Sequence, residues 1–272
     1  MAWCHASDRR SAAPAGTSAF LRGSDGSVSE HAGWSRGRRV FHVGADAPWP
    51  GARLVSAFSV ACVVFDFDGV LVQSNAIKRA AYDYALRALP VSSATIDRCL
   101  AGGPGDRADI IDAIVRTLKL PGAEHATIVA RSVQAYSERC DALLPQCAET
   151  DHASETLAQL AARYPLYVNS ATPEETLRSY VDQRGWTALF RGVYGRPRTK
   201  VEILARIASA ERIDPGRILF VGDRLSDRDA ARAAGCHFVG VQSAGADFEQ
   251  DAELLDSLRD LSRYIARAAV QC

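Results

Sequence analysis

From Ala61 onward the chain alternates short apolar runs with longer stretches whose apolar residues recur every three or four positions. A parallel sheet with crossover helices reads this way, because each strand is covered on both faces while each helix buries one stripe. The predicted strands are Cys62 to Phe65, Leu166 to Asn169, Arg191 to Tyr194, Ile218 to Val221 and Phe238 to Val241. Boundary signals frame helices between them. In TPEETL, Thr172 is the expected cap, Pro173 suits the first turn and Glu175 completes a capping box, with Gly185 as the stop. Ser226 and Gly235 bracket another helix in the same way.

One interval departs from this alternation. Between the first and second strands no strand pattern is found, and Ala76 to Leu89, Asp106 to Leu118 and Ala123 to Leu144 read as helices joined by Leu-Pro, Gly-Gly-Pro-Gly and Leu-Pro-Gly turns. Charge runs on these helices read as solvated faces. The expected fold is α/β, a Rossmann-like parallel sheet core of five or more strands with an all-helical insertion. The core takes residues 55–74 and 148–272 and the insertion takes 75–147.

Residues 1–54 are rich in Ser, Gly, Ala and Arg without periodicity, and no fixed fold is expected there. Met1 is the only methionine, so a start at a Val codon such as Val55 is an alternative. An organellar presequence is a third reading, weakened by Asp8, Asp25, Glu30 and Asp46.

Composition narrows the function classes. Lys plus Arg and Asp plus Glu both number 32, so no global field draws the chain to nucleic acid or anionic lipid. No apolar run approaches the ~18 residues of a membrane span. The stretch from Ala57 to Phe65 is stopped by Asp66, and the N-terminus lacks the apolar segment of a secretory signal. The seven cysteines form no CxxC pair or zinc spacing, and they read as reduced thiols in a cytoplasmic protein. Nothing in the pattern bears on oligomeric state.

Two strand ends carry the chemistry. In VVFDFDGVLVQS an apolar strand runs into Asp66 and Asp68, which strand alternation directs to one side, and Gly69 permits a sharp turn. A hairpin built on Asp-Gly is the bland alternative. In ILFVGDRLSDRDAARAAG, Asp223 leaves a strand and Asp227 sits in the first helical turn, where the helix dipole favours its charge. Asp229 reads better as an ordinary N-terminal helix acid. Ligands of open parallel sheets gather at such carboxyl ends. Four carboxylates there would repel one another unless a cation shared the charge, and oxygen ligands without His or Cys suit Mg²⁺. Asn169 and Ser170 end a third strand, where hydroxyl and backbone N–H donors make a seat for phosphate oxygens. Lys200 opens the helix after a fourth and could reach that phosphate. Singly, Ser170 could be only a cap and Lys200 only a solvated lysine.

The ordered series DFDGV, NSAT, a lone lysine after YGRPRT, and GDRLSD resembles the four motifs of the haloacid dehalogenase-like hydrolase superfamily, over about Ala61 to the C-terminal region. The resemblance implies that Asp66 is the nucleophile that forms an aspartyl phosphate and Asp68 the general acid and base. It further implies that Ser170, Ala171, Lys200 and Gly69 bind phosphate. Mg²⁺ would be held by Asp66, by Asp68 through its carbonyl, and by Asp223, with Asp227 beside the metal.

Within the superfamily, Asp68 argues for phosphoryl transfer, because a dehalogenase has no oxyanion leaving group to protonate. Phosphonate hydrolases need a cap lysine, and Lys119 in RTLKLPG reads instead as a helix end. The helical insertion is similar to the family's mobile cap, whose size disfavours macromolecular substrates. Its loop Ala101 to Arg107 lies where related caps face substrate, so Arg107 either holds a carboxylate or distal phosphate or is merely solvated. Asn75 and Lys78 are secondary candidates. The expected activity is Mg²⁺-dependent hydrolysis of a small phosphorylated metabolite, a sugar or organic-acid phosphate. A sugar phosphomutase of the same superfamily is the alternative, and a catalytically silent regulatory protein on the same fold is a second.

Overall fold

The computed structural model describes residues 58–102, 106–243, 248 and 253–270. The expectations for 1–54 and for the Gly-Gly-Pro-Gly turn therefore lie wholly or largely outside the described residues. Strand β1 (Cys62–Phe65) is followed by four helices, α1 (Asn75–Leu86), α2 (Ser93–Gly102), α3 (Arg107–Arg116) and α4 (Gly122–Leu143). The chain continues through α5 (Ala153–Ala161), β2 (Leu166–Pro173), α6 (Glu174–Gln183), β3 (Gly192–Arg196), α7 (Lys200–Glu211) and β4 (Ile218–Gly222). It ends with α8 (Leu225–Ala234), β5 (His237–Val241), the two-residue β6 (Leu254–Leu255) and α9 (Leu261–Val270).

All described strand pairings are parallel, in the order β3-β2-β1-β4-β5-β6. The order reverses at β1: the chain leaves toward β2 on one side, and β4 leaves toward β5 on the other. The loops after β1 and β4 thus part and open a crevice at the carboxyl edge. Phe65 sits beside Val168 on one side and Val221 on the other, so these strand ends are level.

The CVVF run of β1 is completely buried because both faces are covered. Val63 and Phe65 pack with Leu157 and Leu160 of α5 and Leu261 and Ile265 of α9. Cys62 and Val64 pack on the opposite face with Ile203 and Ile207 of α7 and Ala231 of α8. Truncating a side chain such as Phe65 would cost about 3–5 kcal/mol through the cavity it leaves. That burial is what holds the adjoining Asp66 in a fixed place.

Helices α1 to α4 occupy the interval between β1 and β2; α1, α3 and α4 answer to the three expected from periodicity, with α1 and α3 packed on α4. Tyr82 of α1 and Tyr136 of α4 meet with ring centroids 4.5 Å apart. Helix α2 was not expected, since its apolar residues are few and only Ile96 is fully buried among them. The edge strand β6 was also not expected, being too short to show a period. Strand β2 runs four residues beyond its expected end, so Thr172 is not the cap of α6; Pro173 holds that place without a side-chain bond. The Thr172 hydroxyl is taken instead by Asp68, a tertiary partner that outcompetes the local cap. Helix α8 begins at Leu225 rather than after Ser226, with Arg224 at its cap position. Lys119 has φ 53°, in keeping with a helix end.

Candidate active site

The carboxyl ends of β1, β2, β4 and β5 and the starts of α1, α7 and α8 deliver the polar residues of the crevice. Asp66 follows β1 directly, and its N–H donates to Val221 O of β4 at 2.8 Å. Asp223 follows β4, and Asp227 lies in the first turn of α8, where its Oδ2 accepts from Arg224 N at 3.1 Å. Gly222 makes this approach feasible, because a Cβ there would lie 2.4 Å from Asp227 Cβ. Gly69 is under the same constraint, with φ +79° and a Cβ position 2.1 Å from Asp223 Oδ2. A side chain at either glycine would push the acids apart.

Asp66, Asp223 and Asp227 are buried, and each presents a carboxylate oxygen within 4.8 Å of the others. Lys200, the first residue of α7, lies among them. Its Nζ is 2.5 Å from Asp227 Oδ1 and 3.0 Å from Asp66 Oδ1, the latter an ionic contact rather than an aligned hydrogen bond. Asn169 at the end of β2 donates to Lys200 O at 3.0 Å, and a Thr199–Glu202 capping box fixes the helix start. Asp223 Oδ2 accepts from Asn75 Nδ2 and Ser243 Oγ, both at 2.7 Å, while its buried Oδ1 has no hydrogen-bond partner.

The side chain of Asp68 is engaged elsewhere. Its Oδ1 accepts from Ser74 Oγ at 2.7 Å, and its Oδ2 meets Lys78 Nζ at 2.5 Å, Thr172 Oγ1 at 3.0 Å and Ser170 Oγ at 3.3 Å. The expected set of four gathered carboxylates thus resolves into three plus one. Asp68 has no side-chain place in the metal-suited group, because the insertion supplies it with a cation of its own. Only its carbonyl remains a candidate ligand.

Charge states diverge accordingly. Burial raises the Asp66 carboxyl to about 7; Lys200 opposes the rise, and Asp227 and Asp68 add to it. Burial and the nearby Asp66 push Asp223 to about 6. Asp227 is also raised by burial, despite Lys200. Burial disfavours charge on Lys200, but Asp227 and Asp66 prevail and hold the ammonium above the usual lysine range. Burial likewise disfavours charge on Asp68, yet Lys78 outweighs it with help from Ser74 and Thr172, so this carboxyl lies below its ordinary value. Three buried acids facing one lysine, two of them held near neutrality and one oxygen unpartnered, fit a bound cation with oxygen ligands.

The other sequence-derived candidates are placed as follows. Ser170 is buried beside Asp68, and Ala171 next to it is exposed. Gly69 packs against Asp223 and Asn75 rather than beside Ser170. Arg107 opens α3 half-buried, with no ion pair to another described residue. Asn75 and Lys78, secondary in the sequence, both reach the site from the first turn of α1. Ser74, Thr172 and Ser243 were missed as site residues. Ser243 follows the carboxyl end of β5, a position that strand-end reasoning could have flagged; Thr172 carries only a misleading cap signal.

A parallel sheet with its order reversed at β1, a helical insertion after β1 and this set of acids and lysine at the strand ends define a capped α/β enzyme with a carboxylate site. The model of the haloacid dehalogenase-like hydrolase family matches residues 60–235. A phosphoglycolate phosphatase of Pectobacterium atrosepticum is 30% identical over 228 residues, covering 76% of this chain and 93% of that protein. One of Pseudomonas putida is 29% identical over 224 residues, covering 73% and 77%. A solved haloacid dehalogenase-like hydrolase of Streptococcus pneumoniae superposes with a TM-score of 0.61 at 20% identity, covering 75% of this chain and 98% of that one. The chain belongs to the haloacid dehalogenase-like hydrolase family, and within it is a phosphatase. Among the described residues no helix is long and apolar enough to cross a membrane.

Proposed function

We propose that the chain is a Mg²⁺-dependent phosphatase that cleaves a small phosphorylated metabolite through an aspartyl phosphate on Asp66. One observation carries this reading: a buried carboxylate directly after β1 lies 3.0 Å from a lysine, among acids suited to a cation, with a second hydrogen-bonded carboxylate two residues on. Asp66, Asp223 and the Asp68 carbonyl would hold Mg²⁺, with Asp227 alongside. The bound ion would neutralise charge on the carboxylates and on phosphate oxygens, which keeps Asp66 ionised at neutral pH.

An oxygen of Asp66 attacks phosphorus in line and the bond to the leaving oxygen breaks; Asp68, ionised beside Lys78 in the free protein, takes up a proton as the anionic phosphate binds and delivers it to that oxygen. Asp68 then takes a proton from water as it attacks the aspartyl phosphate, releasing inorganic phosphate and restoring Asp66. The Lys200 ammonium, the Ser170 hydroxyl and the backbone N–H at Ala171 stabilise the equatorial oxygens, while the Gly69 N–H is taken by Val72 O and Gly69 acts only by letting Asp223 approach. Residues 75–147 act as the cap that shields the aspartyl phosphate from bulk water. Relatives named phosphoglycolate phosphatases support a small organic-acid phosphate within the substrate range. Free thiols at Cys62, Cys99, Cys140, Cys147 and Cys236 support a cytoplasmic setting.

Phosphate release from a panel of phosphomonoesters with Mg²⁺ tests the reading. Asp66→Asn should reduce it at least ~10⁴-fold. Equal turnover by wild type and variant would refute the covalent role.

A further inference from the structure

Lys78 stands on the insertion yet touches the core at the residue assigned to handle the leaving group. It lies one turn into α1, its N–H bonded to Ser74 O at 2.9 Å, so the helix start that carries Asn75 to Asp223 also carries Lys78 to Asp68. Its Nζ is 2.5 Å from Asp68 Oδ2 and 3.1 Å from Thr172 Oγ1, and its side chain is 25% exposed, more than the 16% of Lys200. An ammonium has three N–H donors, and these partners account for two. Lys78 therefore keeps one N–H donor beyond these two partners, on a side chain that solvent still reaches.

A leaving oxygen that receives its proton from Asp68 must come within ~2.7 Å of that carboxyl group, which places it within about 5 Å of the Lys78 ammonium. A carboxylate on the carbon bearing that oxygen spans the gap and can meet the ammonium directly. A neutral alcohol offers nothing there.

We infer that Lys78 is a specificity-determining residue that reads a negative charge beside the ester oxygen, selecting short phosphorylated hydroxy acids over neutral alkyl or polyol phosphates. This rests on the phosphatase reading above. The test is a matched pair of esters, 2-phosphoglycolate and ethyl phosphate, with Mg²⁺ and wild type, Lys78→Met and Lys78→Arg. The ratio of kcat/KM for the two esters should favour the carboxylate in wild type, fall about 10- to 100-fold in Lys78→Met with most of the change in KM, and be largely kept in Lys78→Arg. Equal losses on both esters in Lys78→Met would reduce Lys78 to a positioner of Asp68 and overturn the inference. The wild-type ratio needs no variant, and a value of one or less overturns the inference even if Lys78→Met fails to fold. Hydrolysis of other phosphomonoesters with neither of this pair overturns it while sparing the phosphatase reading. No phosphate release from any ester overturns both.

Discussion

Asp66 and Asp68 stand two residues apart on one strand end, yet their carboxyl groups are driven in opposite directions, Asp66 upward to about 7 and Asp68 below its ordinary range. Both are buried, so burial alone does not separate them. Asp66 shares its single lysine with Asp227 and lies near Asp223, so negative charge outnumbers positive around it. Asp68 has a lysine, Lys78, that no other acid among the described residues shares, with the hydroxyls of Ser74, Thr172 and Ser170 around it. The core builds a place that is short of positive charge, and the insertion completes one that is not. A cation belongs to the first place and a leaving group to the second.

The sharpest way to separate the two carboxylates is Asp68→Asn. Loss of proton transfer without loss of the metal-suited group should lower kcat by about 10²–10⁴-fold, while Mg²⁺ still raises the thermal midpoint. A variant that no longer responds to Mg²⁺ would show that the two places are not distinct.

A pH titration of stability probes the other side. Asp66 and Asp223 bind protons more tightly folded than unfolded, so metal-free protein should lose stability as pH rises from ~4 to about 7 and change little above it. Asp68 works in the opposite sense, its contribution being lost only as pH falls below the usual carboxylate range. With chelator, the midpoint should therefore drop by ~5 °C or more between pH 5 and pH 8, and saturating Mg²⁺ should flatten the profile. A chelated protein with a flat profile over that window would contradict the picture.

The smallest effect concerns Thr172. Thr172→Val removes two hydrogen bonds, the one to Asp68 and the one from Lys78, at nearly constant shape and should cost about 1–2 kcal/mol in urea unfolding, with activity reduced only modestly. No stability change would mean that Lys78 and Ser74 alone hold this carboxylate.

Legibility followed burial and locality. The run CVVF and the run ILFV are apolar throughout because both faces of β1 and β4 are covered, so both strands were placed from sequence to within a residue. Asp66, Asp223, Asp227 and Lys200 were readable because each sits where an apolar run or a capping pattern stops. Thr172 was misread for the same reason: its flanks make a good local cap signal, and its partner Asp68 lies 104 residues away in the chain. Helix α2 and strand β6 bury too little or run too short to leave a period.

Taken alone, the sequence determined the alternation of strands and helices, the helical insertion after β1 and the ordered acids, serine and lysine at strand ends. Periodicity and strand termini are local, and they report which side chains must be covered. The tertiary structure decided that Asp68 pairs with Lys78 while Asp66 joins Asp223 and Asp227, and that Asn75 and Ser243 support Asp223. Those partners come from segments far apart in the chain. What charge a buried carboxylate carries depends on which groups the packing sets within a few ångströms of it, and no spacing along one strand encodes that.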